Sequence, residues 1–202
     1  MKVYTVGHPS NANWIYNCEH TNYKNSEIVL FIGGEDVNPK LYGEPAHKST
    51  YYNLYRDEKE AEIYERCIAD RKKIIGICRG FQFIHAMQGF QIAQDIDRHG
   101  GGHLVEKHND CNIDFKPFAT IGSHHQNPVI HNNAKIVPIA ISRLGSKKYD
   151  GFDKLIPTDY EVEAAFYPSI CALGVQYHPE WSNEGSESHI MTNLFIQKYV
   201  ST

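Results

Sequence analysis

The chain has 202 residues, 41% hydrophobic and 22% charged, with 20 basic against 24 acidic residues and a formal net charge of −4. That length supports one domain over residues 1–202 with a sizeable core, and the charge balance, without any lysine- or arginine-rich run, argues against nucleic acid or a polybasic membrane anchor as partner. The longest apolar runs, such as Ile28 to Ile32, are strand-sized and far below the roughly 20 residues of a membrane span, and the start MKVYTVGHPS has no apolar signal core, so a cytoplasmic protein is expected.

In chain order, Lys2 to Val6 reads as a short strand. Glu27 to Ile32 is a continuous apolar run rich in β-branched residues and ended by Gly33-Gly34, the pattern of a strand buried on both faces. Asp36 to Pro45 reads as a loop with two prolines. Asp57 to Lys72 is a helix, with Ala61, Ile63, Tyr64, Cys67 and Ile68 as its apolar stripe and acids concentrated in its first turns. Tyr51, Tyr52 and Tyr55, just before it, are expected to be packing residues, with a lid over the site as the other reading.

Ile74 to Cys78 is a second buried-type strand and runs directly into a helix over Phe81 to Met87. The stretch Gly89 to Asn112, with His99, Gly100 to Gly102, His103 and His108, is read as loop-dominated near the site mouth. Its histidine spacing is not the i, i+4 arrangement of a helical zinc site. Ile136 to Ile141, Glu161 to Phe166 and Ile170 to Gln176 read as strands, and Glu187 to Val200 as a closing helix. Alternating strands and helices predict an α/β layer architecture around a mainly parallel sheet.

The five cysteines, Cys18, Cys67, Cys78, Cys111 and Cys171, are odd in number and lack a CxxC pair, which suits reduced thiols better than a disulfide scaffold or zinc ribbon. Cys78 has unusual surroundings. Gly76-Ile77-Cys78-Arg79-Gly80 matches a nucleophile elbow with cysteine in the serine position. Glycines flank such a turn because side chains there would collide, and the sulfur comes to lie at a helix N-terminus, which favours the thiolate. The backbone N–H of Arg79 is then well placed for an oxyanion. A glycine-flanked cysteine alone also fits a small buried hydrophobe; the strand before it and the helix after it favour the catalytic reading.

A cysteine nucleophile needs a base, and the base a group that orients it. His178 follows a strand in GVQYHPEW, and Pro179 biases it toward an extended conformation. Residues two apart then share a face, so Glu180 can reach the imidazole. A surface histidine in a proline turn is the bland alternative.

GICRGFQ followed by GVQYHPEW resembles the class I glutamine amidotransferase superfamily. Gly33 to Pro39, Leu41-Tyr42-Gly43-Glu44, Gln94-Asp95, Ser123-His124-His125-Gln126 and Val162-Glu163-Ala164 resemble its γ-glutamyl-γ-aminobutyrate hydrolase branch, grouped with the γ-glutamyl hydrolase peptidases. The resemblance implies a three-layer α/β/α, flavodoxin-like fold and a Cys-His-Glu triad of Cys78, His178 and Glu180. It also implies Gly34 and Arg79 as backbone oxyanion donors, and Gln82, Ser123 and His124 as residues holding the glutamate or glutamine head group. His85 and Phe90 depart from the branch pattern.

The expected activity is hydrolysis of a small-molecule γ-glutamyl amide, a reaction that requires no metal or organic cofactor. A glutaminase subunit feeding a separate synthetase chain is the alternative, and a non-catalytic binding protein of the same fold a third reading. A homodimer is left open.

Overall fold

The computed structural model describes residues 1–97, 100–131 and 134–201. Among the described residues nine strands form the central sheet: β1 (Lys2–Val6), β2 (Glu19–His20), β3 (Ile28–Phe31), β4 (Lys73–Ile77), β5 (Gly101–Lys107), β6 (Phe118–Gly122), β7 (Val137–Ser142), β8 (Glu161–Tyr167) and β9 (Ala172–Val175). Their order is β2-β1-β3-β4-β9-β8-β7-β5-β6. From β2 to β9 neighbouring strands are parallel, and from β9 to β6 they are antiparallel. The helices are α1 (Leu54–Ala69), α2 (Arg79–Met87) and α3 (Glu187–Phe195), the last continued by a π-helical stretch over Ile196–Val200.

Strand alternation divides the core between the two faces of the sheet. Val29, Phe31 and Ile74 pack with Tyr64 and Cys67 of α1 and Phe81 and Ile84 of α2. Ile28, Leu30, Ile75 and Ile77 pack with Phe195, Ile196 and Val200 on the opposite face. The result is the three-layer α/β arrangement expected, and all five cysteines are free thiols.

α1 begins three residues earlier than the acidic run suggests, because the Asn53 side chain caps it by accepting the Arg56 N–H. Its buried stripe also differs from the apolar one. Asp57, Glu60, Tyr64 and Cys67 face inward, while Ile68 is exposed.

The reading of Gly89 to Asn112 as mainly loop is corrected. Gly101–Lys107 is a strand paired antiparallel with Phe118–Gly122 on one side and with Val137–Ser142 on the other. Its glycines and exposed Leu104 hide it from a periodicity argument; long-range pairing makes it a strand. His103, in that strand, turns its ring onto the buried Glu163 carboxylate at 3.0 Å, and His108 bonds back to its own loop at the Asp110 N–H. His99 lies outside the described residues.

Candidate active site

β3, β4 and β9 are adjacent and parallel, with Phe31 opposite Gly76 and Gly76 opposite Gly174, so their C-terminal ends open on one edge of the sheet. Three segments leave that edge together: Ile32-Gly33-Gly34, Cys78, and Gln176-Tyr177-His178. In open α/β sheets this edge is where ligands bind.

Cys78 has φ 51° and ψ −109°, a left-handed conformation costly for a side-chain-bearing residue. Its N–H bonds the Val175 carbonyl at 2.7 Å and its carbonyl accepts from Gln82 N–H, so the turn is pinned to β9 before it and to α2 after it. The turn closes only because its neighbours are bare. A Cβ on Gly80 would lie 2.2 Å from the Phe31 carbonyl oxygen, and one on Gly76 2.5 Å from the Gly80 backbone.

His178 is buried, its N–H held by the Ile121 carbonyl of β6 at 3.0 Å. Its Nδ1 is 2.6 Å from Glu180 Oε1. A Cβ on Gly33 would sit 3.0 Å from His178 Cε1 and 3.6 Å from Cys78 Cβ, so that glycine lies against both. Burial disfavours the imidazolium, but hydrogen bonds to Cys78 and Glu180, with their charges, outweigh it and lift the His178 pKa to about 9. Trp181 stacks on the same ring.

Cys78 shares a cavity of about 180 Å³ with Gly34, Glu35, Asp36, Tyr51, Gln82, Ser123, His124, His125 and Gln126. Every residue assigned to the head group by resemblance therefore lines one cavity. Gln82 donates to the Gln126 carbonyl at 2.9 Å, which ties α2 to the segment after β6. The His124 imidazole lies 3.5 Å from the buried Glu161 carboxylate, and His125 is 3.0 Å from Asp36, whose carboxylate also accepts the Tyr51 N–H. The hydrogen bond to Asp36 raises the His125 pKa against its partial burial. Among the described residues no group of three or more histidine, cysteine or carboxylate side chains is arranged to hold a metal ion.

One expectation about this region changes. Tyr51 and Tyr55 are 75% and 70% exposed, so they are not packing residues, and Tyr51 is part of the cavity wall. The departures at His85 and Phe90 lie outside that wall and face each other, ring centroids 5.3 Å apart. His85 is fully buried between Tyr167 Oη (2.7 Å) and the Gln91 carbonyl (3.0 Å), and burial lowers its pKa to about 3, leaving a neutral core group.

The side chain of Arg79 was missed altogether. It is fully buried and pairs with Asp57 at 2.5 Å and with Glu60. Glu60 also takes Arg56 Nε at 2.8 Å, and Arg56 continues to Glu35 at 2.7 Å. A signal existed: Asp57, Glu60, Tyr64 and Cys67 follow helical 3-4-3 spacing, so the acids extend the buried stripe and demand a buried cation.

The fold and this edge define a class I glutamine amidotransferase-like protein. The peptidase C26 family model matches residues 20–147, and the chain belongs to that family. It is 36% identical over 184 residues to protein NtpR of Enterococcus hirae, covering 85% of this chain and 74% of that one. With the glutamine amidotransferase-like protein YvdE of Lactococcus lactis it shares 34% identity over 171 residues, 80% of this chain and 70% of the other. Among solved structures, a glutamine amidotransferase of Thermotoga maritima superposes with a TM-score of 0.57 at 15% identity, covering 100% of this chain and 83% of that one. A Thermoplasma acidophilum protein described as a GMP synthase component gives 0.58 at 17% identity, with 100% and 94% coverage. At those identities the solved structures speak for the fold alone.

Proposed function

We propose that this chain, as one domain over residues 1–202, is a cysteine-dependent hydrolase that cleaves a γ-glutamyl amide through a γ-glutamyl thioester on Cys78, releasing glutamate and an amine. One observation carries the reading: Cys78, held at φ 51° on its elbow, and an imidazole whose Nδ1 is held by Glu180 at 2.6 Å both lie against Gly33 at the same strand edge. Membership of the peptidase C26 family supports the reaction class.

The Cys78 thiolate attacks the γ-carbonyl carbon, forming the C–S bond and placing negative charge on the carbonyl oxygen. Backbone N–H groups of Gly34 and Arg79 stabilise that oxyanion. The His178 imidazolium protonates the amine as the C–N bond breaks, leaving the thioester. The neutral imidazole then takes a proton from water, whose oxygen attacks the thioester; glutamate leaves and the thiolate returns. Glu180 keeps the imidazole in the right tautomer and stabilises its cation. Gln82, Ser123 and His124 hold the α-amino and α-carboxylate end. The test is a mass-spectrometric product screen over a panel of γ-glutamyl amides, with Cys78→Ala as blank. Glutamate and free amine from the wild-type protein alone are expected; identical traces would end the proposal.

The likeness to YvdE, a glutamine amidotransferase-like protein, supports a second reading: a glutaminase subunit that passes ammonia to a separate synthetase chain. Such a subunit is nearly idle by itself, whereas the hydrolase turns over γ-glutamylamines without a partner. A non-catalytic binding protein would differ from both, since its Cys78 would not react with a glutamine-mimicking electrophile faster than the other four thiols.

A further inference from the structure

We infer that Arg56 is a positioning residue that sets the direction of the Gly34 N–H, and that the Arg56-Asp57-Glu60 face of α1 braces both oxyanion donors at once. The inference deepens the hydrolase reading and rests on it. Arg56 Nη2 donates to the Gly33 carbonyl at 3.0 Å and to the Ile32 carbonyl at 3.4 Å. The Gly33 carbonyl and the Gly34 N–H belong to one peptide unit, which is planar and trans. A guanidinium that grips the carbonyl on one side therefore points the N–H to the other. A flipped peptide would aim a carbonyl oxygen, and so the wrong sign of charge, where the oxyanion forms.

The fit is close. Gly34 has φ 149°, and a Cβ there would lie 2.0 Å from Arg56 Nη1, so the guanidinium occupies the space a side chain would take. Arg56 is itself held, by Glu35 at 2.7 Å and by Glu60 at 2.8 Å. The other oxygen of Glu60 takes the side chain of Arg79, whose N–H is the second donor. Asp57 closes the cluster by accepting from Arg79 at 2.5 Å and from the Asn38 N–H at 3.1 Å. One turn of helix thus fixes the loop after β3 and the elbow after β4 relative to each other.

The test compares wild-type protein with Arg56→Met and Arg56→Lys by three measurements. These are kcat and KM on a γ-glutamyl anilide, affinity for a γ-aldehyde analogue of glutamate, and the rate of Cys78 alkylation by iodoacetamide. The aldehyde adds to the thiolate to give a thiohemiacetal oxyanion and needs no leaving group; iodoacetamide displaces iodide and forms no oxyanion. Arg56→Met is expected to lose about 100-fold in kcat and in aldehyde affinity, the scale of one oxyanion donor, with KM within about threefold and alkylation within about twofold of wild type. Arg56→Lys, which keeps a donor and folds if any variant does, is expected to recover part of both losses. Alkylation falling in step with kcat would mean general damage and overturn the inference, as would a loss confined to KM or no loss at all. If the wild type captures the aldehyde but hydrolyses no amide, the hydrolase reading fails while Arg56 is still judged on aldehyde affinity. A wild type inert to both overturns the two together.

Discussion

The imidazole of His178 lies flat on the indole of Trp181, with ring centroids 3.6 Å apart and planes within 5°. An aromatic face attracts a cation, and such contacts contribute about 0.5–2 kcal/mol. Trp181 therefore joins Glu180 and Cys78 in favouring the imidazolium. Trp181→Leu is expected to bring the His178 pKa down from about 9 toward the ordinary histidine range, read from the imidazole resonances in a pH titration. An unchanged pKa would reduce the stack to packing.

The same pKa sets a pH signature. The imidazolium is needed to protonate the leaving amine, so turnover should fall as pH rises through about 9. Stability follows the same sign. A histidine whose pKa is raised on folding stabilises the native state fully below its unfolded value, near 6.5, and loses that contribution as pH climbs through about 9. The difference in Tm between wild type and His178→Asn should shrink between pH 7 and pH 10. Glu180→Gln should move the alkaline limb to lower pH and cost about 100- to 10,000-fold in kcat, by analogy with triad orienters elsewhere.

Thiol chemistry should single out one cysteine of five. Burial raises the pKa of Cys67 to about 11 and also raises those of Cys18 and Cys171. Cys78 lies against Gly33 together with the His178 imidazole and lines the cavity. Mass mapping after brief alkylation at neutral pH should find Cys78 modified first. Cys78→Ala should lose turnover by about 10,000-fold or more while keeping its circular dichroism and Tm.

Arg79→Met is expected to destabilise the protein by about 3–5 kcal/mol in urea unfolding, because it leaves the buried Asp57 carboxylate without its cation and Glu60 with Arg56 alone. Burial already pushes the Asp57 pKa up, with Arg79 pulling the other way. Without that cation Asp57 should bind a proton more readily than in the wild type, so the loss should be smaller in acid than at pH 8. A pH-independent loss would contradict the pairing.

Gly80→Ala should cost at least about 1–3 kcal/mol, since its new methyl meets backbone, which cannot rotate away. Gly100→Ala, with nothing within 4 Å, should fall within about 0.5 kcal/mol of wild type. Equal stabilities for both would show that the elbow is looser than its geometry.

How much was legible depended on whether the signal was local. The strand-turn-helix around Cys78 and the His-x-Glu pair at His178 could be read because each lies within a few residues and strict sterics govern the turn. The same holds for the buried strand Ile28–Phe31 and for the order of strands and helices that implies an α/β layer fold. Gly101–Lys107 could not be read, since its partners come from Phe118–Gly122 and Val137–Ser142 and its exposed face gives no periodicity.

By itself, then, the sequence determined the layer architecture, the strand-turn-helix at Cys78 and the local pairing of His178 with Glu180. Only the tertiary structure decided that Asp57 and Glu60 turn inward to Arg79, that Arg56 grips the Gly33 carbonyl, and that the indole of Trp181 covers His178. The physical reason is distance along the chain. A charge is tolerated in a core only beside its counterion, and which counterion arrives is settled when strand ends and a helix face from separate segments pack together.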